Sequence, residues 1–197
     1  MSLPLHIEAN PQQEQRFLLP GIYDWQAFEA LETLLSDSPG LRIAYLDGWI
    51  ELLTLGEPHE LIKSSIAMLL EAYFVAIGLE FIPVGSATRR GKEKGTSFEP
   101  DESYYLGERK ANPDLAIEVI LTSGNLQKLE KYRRFAISEV WLWENNALKV
   151  YHLQTEGYIE VPRSQLLPDL DLALLVRCVQ IPSRLESMRQ FMGAIEA

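Results

Sequence analysis

Residues 113–120 read Pro-Asp-Leu-Ala-Ile-Glu-Val-Ile, and this stretch decides the fold of the chain. From Leu115 onward it is nearly all apolar and rich in β-branched residues, as is typical of a central strand covered on both faces. One carboxylate, Glu118, interrupts the run. Burying that charge is costly unless it meets a metal ion, a cation or hydrogen-bond donors. The residues by themselves leave metal coordination and a buried ion pair equally open.

Three further patterns place elements around this strand. Asp47-Gly48 separates two apolar runs and predicts a hairpin, because both central residues of a type I′ turn need positive φ. Residues 58–77 carry one apolar stripe behind a proline and predict the longest helix. Residues 126–135 repeat apolar side chains in steps of three, which predicts a helix capped by Ser123 or Asn125.

The order of these elements predicts an α/β or α+β domain with one mixed β-sheet flanked by helices. We expect the domain to span residues 23–181, preceded by an arm at residues 1–22. Residues 182–197 predict a C-terminal amphipathic helix that packs on the domain or on a dimer partner. For this helix and for the many aromatic side chains, core packing and a homodimer interface both remain open.

Composition narrows the class of protein. The chain has 197 residues, a formal net charge of −10 and one cysteine, Cys178. One cysteine cannot form an internal disulfide, so we expect a reducing, cytoplasmic setting and a buried thiol. We expect no signal peptide and no membrane span, since residues 1–10 lack a basic start and the apolar residues 66–79 are too few. The negative charge argues against nucleic-acid binding by bulk charge, so any such binding needs a local basic patch.

Several other carboxylates accompany Glu118. Asp114 lies on the same face of the strand, but about 13 Å away at about 3.3 Å per residue, so the two cannot chelate one metal ion. A second ligand must come from another strand, and Asp101, at the head of the preceding strand, is the natural candidate. Asp114 is more simply a turn residue after a proline. Glu60 suits the first turn of a helix, where an acid complements the dipole, and His59 suits a surface or capping position.

Basic residues complete the candidate site. Lys128 and Lys131 follow Glu118 on the next helix, and Lys128 shares a helix face with Tyr132. Phosphodiester hydrolysis needs a deprotonated water and stabilisation of charge on the phosphate, which Mg²⁺ and a nearby lysine supply. A solvated helix surface is the plainer interpretation of both lysines. A weak candidate for phosphate contacts is the basic stretch formed by Arg89, Arg90, Lys92 and Lys94, which also suits a solvated hairpin tip.

The ordered set of motifs resembles the Uma family of putative restriction endonucleases, which belongs to the Pro-Asp…(Asp/Glu)-x-Lys nuclease superfamily. The resemblance covers residues 23–181. The pieces that carry it are Glu57-Pro58-His59-Glu60, Pro100-Asp101, residues 113–120, residues 128–132, residues 139–144 and Leu167-Pro168-Asp169-Leu170.

The resemblance implies a restriction-endonuclease-like core, in which a helix precedes a three-stranded antiparallel meander, a crossover helix and a parallel strand. It implies that Asp101, Glu118 and Glu60 bind Mg²⁺ or Mn²⁺. The superfamily lysine is expected two residues after the acid, where this chain has Ile120. In this family the lysine lies on the following helix, which points to Lys128 with Lys131 in reserve. Asp114 and Tyr132 have supporting roles.

Two functions follow from these observations. The first is a Mg²⁺-dependent endonuclease acting on duplex DNA through metal-assisted attack of water. The second is a catalytically inactive nuclease-fold protein that acts as a DNA-binding or assembly subunit, which the acidic charge and the apolar residue at position 120 favour. A hydrolase of small molecules or a purely structural domain ranks last, because the sequence has no Ser-His-Asp set, no glycine-rich phosphate loop and no zinc-type spacing.

Overall fold

The structure is a computed structural model that describes residues 14–121 and 127–195, without the side chains of residues 127 and 128. The strands are β1 (Gln15–Leu18), β2 (Leu41–Leu46), β3 (Trp49–Thr54), β4 (Phe81–Pro83), β5 (Arg89–Gly91), β6 (Thr96–Phe98), β7 (Glu102–Leu106), β8 (Leu115–Ile120), β9 (Glu139–Glu144), β10 (Ala147–Gln154) and β11 (Gly157–Val161). The helices are α1 (Trp25–Leu34), α2 (Glu57–Ala76), α3 (Gln127–Arg133), α4 (Leu172–Val179) and α5 (Arg184–Ile195). Ser123 and Asn125, the expected helix caps, lie outside the described residues.

The strands form two sheets. A six-stranded sheet has the order β11-β10-β9-β8-β7-β4 and is antiparallel except between β8 and β9. It contains the expected antiparallel meander, β4-β7-β8, followed by the crossover helix α3 and the parallel strand β9. The expected mixed sheet flanked by helices is therefore confirmed.

The expectation of a single sheet is wrong. A second, five-stranded antiparallel sheet has the order β1-β3-β2-β6-β5. The Asp47-Gly48 turn joins β2 to β3 as predicted, with φ of 46° and 93° at its two central residues. This hairpin builds its own sheet because α1 covers one of its faces, where Phe28 and Ile50 are completely buried. The hairpin pattern predicts the pairing of two strands and leaves open which sheet they join.

The core has one layer on each face of the six-stranded sheet. Helices α2, α4 and α5 pack on the face that carries Ile117 and Val119. Helix α3 packs on the opposite face, which carries Ala116 and Ile120, together with Phe98 of β6. Because side chains alternate along a strand, Glu118 belongs to the α3 face. This placement directs the one charged residue of β8 towards the second sheet.

The two ends of the described chain pack onto this body. Gln15–Leu18, within the expected arm, pairs with β3 as strand β1. The predicted C-terminal helix is present as α5, and Phe191 buries it against the α2 and α4 layer. The sequence interpretation missed α4, although Asp171 caps it by accepting a hydrogen bond from Leu174 N at 2.9 Å. No helix among the described residues has the length and apolarity needed to cross a bilayer.

Candidate functional site

The start of β7 and the middle of β8 bring Asp101 beside Glu118. Asp101 immediately precedes β7, and its backbone N–H donates to Ile117 O at 3.2 Å. Its side-chain Oδ2 accepts a hydrogen bond from Val119 N at 2.7 Å. The Asp101 carboxylate thus lies against the backbone that carries Glu118, although 17 residues separate the two in sequence. Antiparallel pairing of β7 with β8 causes this convergence.

Asp101 is 1% exposed and contacts two basic side chains. Arg42 Nη1, from β2, donates to Asp101 Oδ1 at 2.5 Å, and His59 Nε2, from α2, lies 3.0 Å from Asp101 Oδ2. Burial raises the pKa of Asp101, but the hydrogen bond and charge of His59, the charge of Arg42 and the Val119 N–H outweigh it and hold the pKa below its usual value. Asp101 is therefore an anion in the folded protein.

His59 is not the surface residue that the sequence suggested. Its side chain is completely buried, and its Nδ1 lies 3.6 Å from Glu60 Oε1. Burial lowers the pKa of His59, but the hydrogen bond and charge of Asp101 and the charge of Glu14 outweigh burial and raise the pKa above its usual value. The expectation failed because the histidine lies on the inward face of α2, and a histidine by itself does not indicate that a carboxylate will meet it there.

Glu118 is 4% exposed and meets a different pair of donors, both on α3. Lys131 Nζ lies 2.9 Å from Glu118 Oε1, and the hydroxyl of Tyr132 donates to the same oxygen. The Lys131 ammonium also lies over the ring of Phe98, 4.7 Å from its centroid. The plainer interpretation of Lys131 as a solvated residue is thus wrong: its side chain is only 12% exposed, because α3 packs directly on the Glu118 face.

Tyr132 is affected by both carboxylates. The pKa of Tyr132 is raised well above its usual value, mainly by burial. The charge of Glu118, its hydrogen bond with Tyr132 and the charge of Asp101 raise this pKa further. The phenol therefore remains protonated and donates to Glu118. The supporting role expected for Tyr132 stays a prediction, and this contact with Glu118 is the observation on which it rests.

A cavity connects these residues with the second sheet. It is lined on one side by β2, β3 and Glu99, which directly follows β6, and on the other by β8 and α3. Its charged lining residues are Arg42, Glu51, Glu99, Glu118 and Lys131. Arg42 Nε lies 3.6 Å from Glu99 Oε2, and Glu51 accepts a hydrogen bond from Arg16 Nε at 2.5 Å.

The sequence interpretation missed Arg42, Glu51 and Glu99. Arg42 and Glu51 interrupt the apolar runs of the β2–β3 hairpin, and this alternation was the available signal. The alternation indicates that the hairpin has a polar and an apolar face. It does not indicate that the polar face lies opposite Glu118.

The other expected site residues lie apart from this cavity or outside the described side chains. Glu60 is 45% exposed and pairs with Lys63 at 2.6 Å. Asp114 contacts Lys110 Nζ at 2.7 Å and accepts from Leu106 N at 2.9 Å, which ties together the connection between β7 and β8. The backbone of Lys128 lies in α3, but its side chain is outside the described residues, so the preference for Lys128 over Lys131 stays a prediction.

The basic stretch is largely engaged within the protein. Arg90 pairs with Glu29 and Glu32 of α1, at 3.0 Å and 2.5 Å, and lies over the ring of Trp25. Lys94 Nζ donates to Arg134 O at 2.8 Å. Arg89 is half-buried, and Lys92 is exposed. A role of these four residues in DNA binding stays a prediction.

Asp101 and Glu118 are the two carboxylates that a magnesium ion here would use: Glu118 lines the cavity, and Asp101 accepts a hydrogen bond from Arg42, which also lines it. Mg²⁺ prefers oxygen ligands, keeps several waters and commonly uses one or two carboxylates. Each carboxylate oxygen accepts two hydrogen bonds. Among the described residues, Asp101 Oδ1 accepts only from Arg42, and Glu118 Oε2 accepts none. Within the same part of the chain, no three His, Cys, Asp or Glu side chains form a metal-binding group, so Glu60 does not complete the set.

Comparison with known proteins identifies the family. No curated protein matches the sequence at a significant level. The model of the Uma2 family, described as putative restriction endonuclease, matches residues 25–182, which is most of the chain and includes the cavity, helices α1 to α4 and every strand of the two sheets except β1. The β1 strand and α5 lie outside the match. The chain thus belongs to the Uma2 family of putative restriction endonucleases.

Proposed function

We propose that this protein is a Mg²⁺-dependent endonuclease that hydrolyses phosphodiester bonds of duplex DNA. Membership of the Uma2 family supports nuclease activity. The observation that carries the finer proposal is the ammonium of Lys131, 2.9 Å from the buried carboxylate of Glu118, in a cavity that also contains the guanidinium on Asp101.

Each residue has a defined task in this proposal. Asp101 and Glu118 supply the anionic oxygens that would hold Mg²⁺ or Mn²⁺. When bound, the ion would supply a Lewis acid for the phosphate and lower the pKa of a bound water. His59 and Val119 N–H fix the Asp101 carboxylate, and Tyr132 fixes that of Glu118. Lys131 presents an ammonium beside the reacting phosphate, where it can orient water or stabilise developing charge.

The proposal is tested by incubating the purified protein with supercoiled plasmid and linear duplex DNA. We expect nicking or cutting with Mg²⁺ or Mn²⁺ and none with EDTA. Glu118→Ala and Asp101→Ala should abolish the activity, and Glu144→Ala, at the half-buried end of the neighbouring strand, should retain it. A wild-type protein that leaves all DNA forms intact with either metal would contradict the proposal.

A second function is favoured by one specific observation. Both carboxylates already have basic partners, Arg42 and His59 at Asp101 and Lys131 at Glu118, so neither buried charge is left without a partner when no metal ion is bound. A DNA-binding or assembly subunit without catalysis would need no more than this. Calorimetry with Mn²⁺ separates the two functions: binding that Asp101→Ala removes supports the endonuclease, and absence of heat supports the inactive subunit.

A further inference from the structure

The two positively charged side chains that line the cavity, among the described residues, are Arg42 and Lys131. They come from opposite walls: Arg42 from β2 of the five-stranded sheet and Lys131 from α3 on the six-stranded sheet. The rest of the described lining is acidic or apolar, with Ile43, Ala44 and Leu53 as the apolar part. An anion that enters this cavity therefore has two cationic donors to meet.

Arg42 has N–H groups that make no hydrogen bond to the described residues. A guanidinium carries five N–H groups in a planar fork. One of them, on Nη1, donates to Asp101, and the contact of Nε with Glu99 is 3.6 Å, longer than a hydrogen bond. The described residues give Arg42 no other hydrogen bond. The side chain is 15% exposed, so its remaining N–H groups reach the cavity.

Asp101 also has other partners that compensate for its burial, so it does not require Arg42. Asp101 Oδ2 already has the hydrogen bond from Val119 N at 2.7 Å and the contact with His59 Nε2 at 3.0 Å. A purely structural counter-ion could therefore be neutral or absent at position 42 without leaving Asp101 alone. Arginine is the side chain whose geometry matches a phosphate with two parallel hydrogen bonds.

We propose that Arg42 and Lys131 form a phosphate clamp that binds the DNA backbone at the scissile position from opposite walls of the cavity. The inference rests on the proposed function, and it assigns Arg42 to the substrate. Arg42 keeps its bond to Asp101 and donates its free N–H groups to the phosphate. Lys131 has three N–H groups, of which one is used by Glu118, and it contributes from the other side.

The clamp is tested by DNA binding in EDTA, where no cleavage occurs, with a fluorescent duplex and fluorescence anisotropy from 50 to 300 mM salt. Each phosphate contact contributes about −0.9 to the slope of log K against log salt. We expect Arg42→Gln to weaken binding and to make the slope less steep by about 0.9. Arg42→Lys should restore the slope, because it keeps the charge, and bind more weakly than the wild type, because it lacks the fork.

The matched control is Arg184→Gln. Arg184, at the start of α5, donates to Leu61 O at 3.2 Å and to Ile181 O at 3.3 Å, on the face of the six-stranded sheet opposite to the cavity. It should leave the slope unchanged. If Arg42→Gln does not fold, Lys131→Met and Lys131→Arg test the clamp from the opposite wall with the same expectation.

The outcomes separate the clamp from the endonuclease. If the wild type cleaves DNA and neither Arg42→Gln nor Lys131→Met changes the slope, the clamp is overturned and the endonuclease remains. The clamp is likewise overturned if Arg184→Gln changes the slope and Arg42→Gln does not. If the slope changes as expected and the wild type never cleaves, the clamp stands and the endonuclease fails.

Discussion

Glu118 and Glu139 are buried glutamates on the neighbouring parallel strands β8 and β9, and their surroundings differ. Glu139 is completely buried and accepts hydrogen bonds from neutral donors: Trp141 Nε1 at 3.0 Å, Ser164 Oγ at 2.7 Å and the backbone N–H groups of Gln165 and Leu166. Glu118 meets an ammonium and a phenol at the wall of a cavity. Burial of a carboxylate is common to both.

The difference teaches how a structural carboxylate is distinguished from a functional one. Neutral donors hydrogen-bond to both oxygens of Glu139 and join the start of β9 to the loop before α4, while His152 Nδ1 lies 3.5 Å from Oε1 without a hydrogen bond. At Glu118 one oxygen carries both donors, and the other accepts no hydrogen bond from the described residues. A carboxylate with unused acceptor capacity beside a cavity can take a ligand, whereas one enclosed by backbone N–H groups cannot do so without unfolding its loop.

The largest expected effect compares the two glutamates directly. Glu118→Gln should lower cleavage about 10³-fold, because loss of the anionic ligand removes several kcal/mol of charge stabilisation. Glu139→Gln should leave the rate per folded molecule unchanged. The measurement is single-turnover cleavage with Mg²⁺, normalised to folded protein by circular dichroism. Equal loss in the two variants would mean that the comparison does not separate function from structure.

Removal of Lys131, the cation that pairs with Glu118, tests the buried ion pair. Lys131→Met should lower the free energy of unfolding by about 3 kcal/mol, because it leaves a buried carboxylate without its counter-ion. Lys149→Met, which removes the partner of Glu144 at the half-buried end of β9, should cause no measurable change, because the Lys149 side chain itself is exposed. Urea denaturation in EDTA measures both variants. Equal stability of Lys131→Met and the wild type would show that Lys131 does not neutralise Glu118.

The neutral donors of Glu139 predict a smaller loss of stability. Glu139→Gln should lower the free energy of unfolding by about 2 kcal/mol. The glutamine NH₂ group replaces an acceptor oxygen and faces N–H and O–H donors, so one of those buried donors loses its acceptor. Urea denaturation and protease sensitivity of residues 162–171 measure the effect. A stable variant with an intact loop would contradict the structural role of Glu139.

The smallest effect is the pH dependence of the His59–Asp101 pair. His59 has a raised pKa, so its stabilisation is complete below about 6.5 and is lost as pH rises through the raised value. Asp101 has a lowered pKa, so its stabilisation is present above about 3.9 and is lost as pH falls through the lowered value. We expect the pair to stabilise the fold most between these limits.

His59→Gln tests this expectation, because glutamine still donates a hydrogen bond and carries no charge. Urea denaturation of the metal-free protein from pH 5 to 9 should show a decline above pH 6.5 in the wild type that is reduced in the variant. Identical pH profiles would show that the imidazole is not the group that titrates.

The sequence by itself determined the local elements. The apolar β8, the Asp47-Gly48 turn and the stripe of α2 are recognisable because side-chain period and turn conformation depend on neighbouring residues. The order of motifs also determined the family, and it singled out Asp101 and Glu118 as the candidate metal-binding carboxylates. The anomaly of a charge in an apolar strand was visible without a structure.

Only the tertiary structure decided which groups meet those carboxylates. Arg42 comes from a second sheet, His59 from the inward face of α2 and Lys131 from the face of α3 that packs on β8. Such contacts join residues 13 to 59 positions apart. They depend on how faces of separate elements are packed together, and no local pattern of side chains specifies that packing.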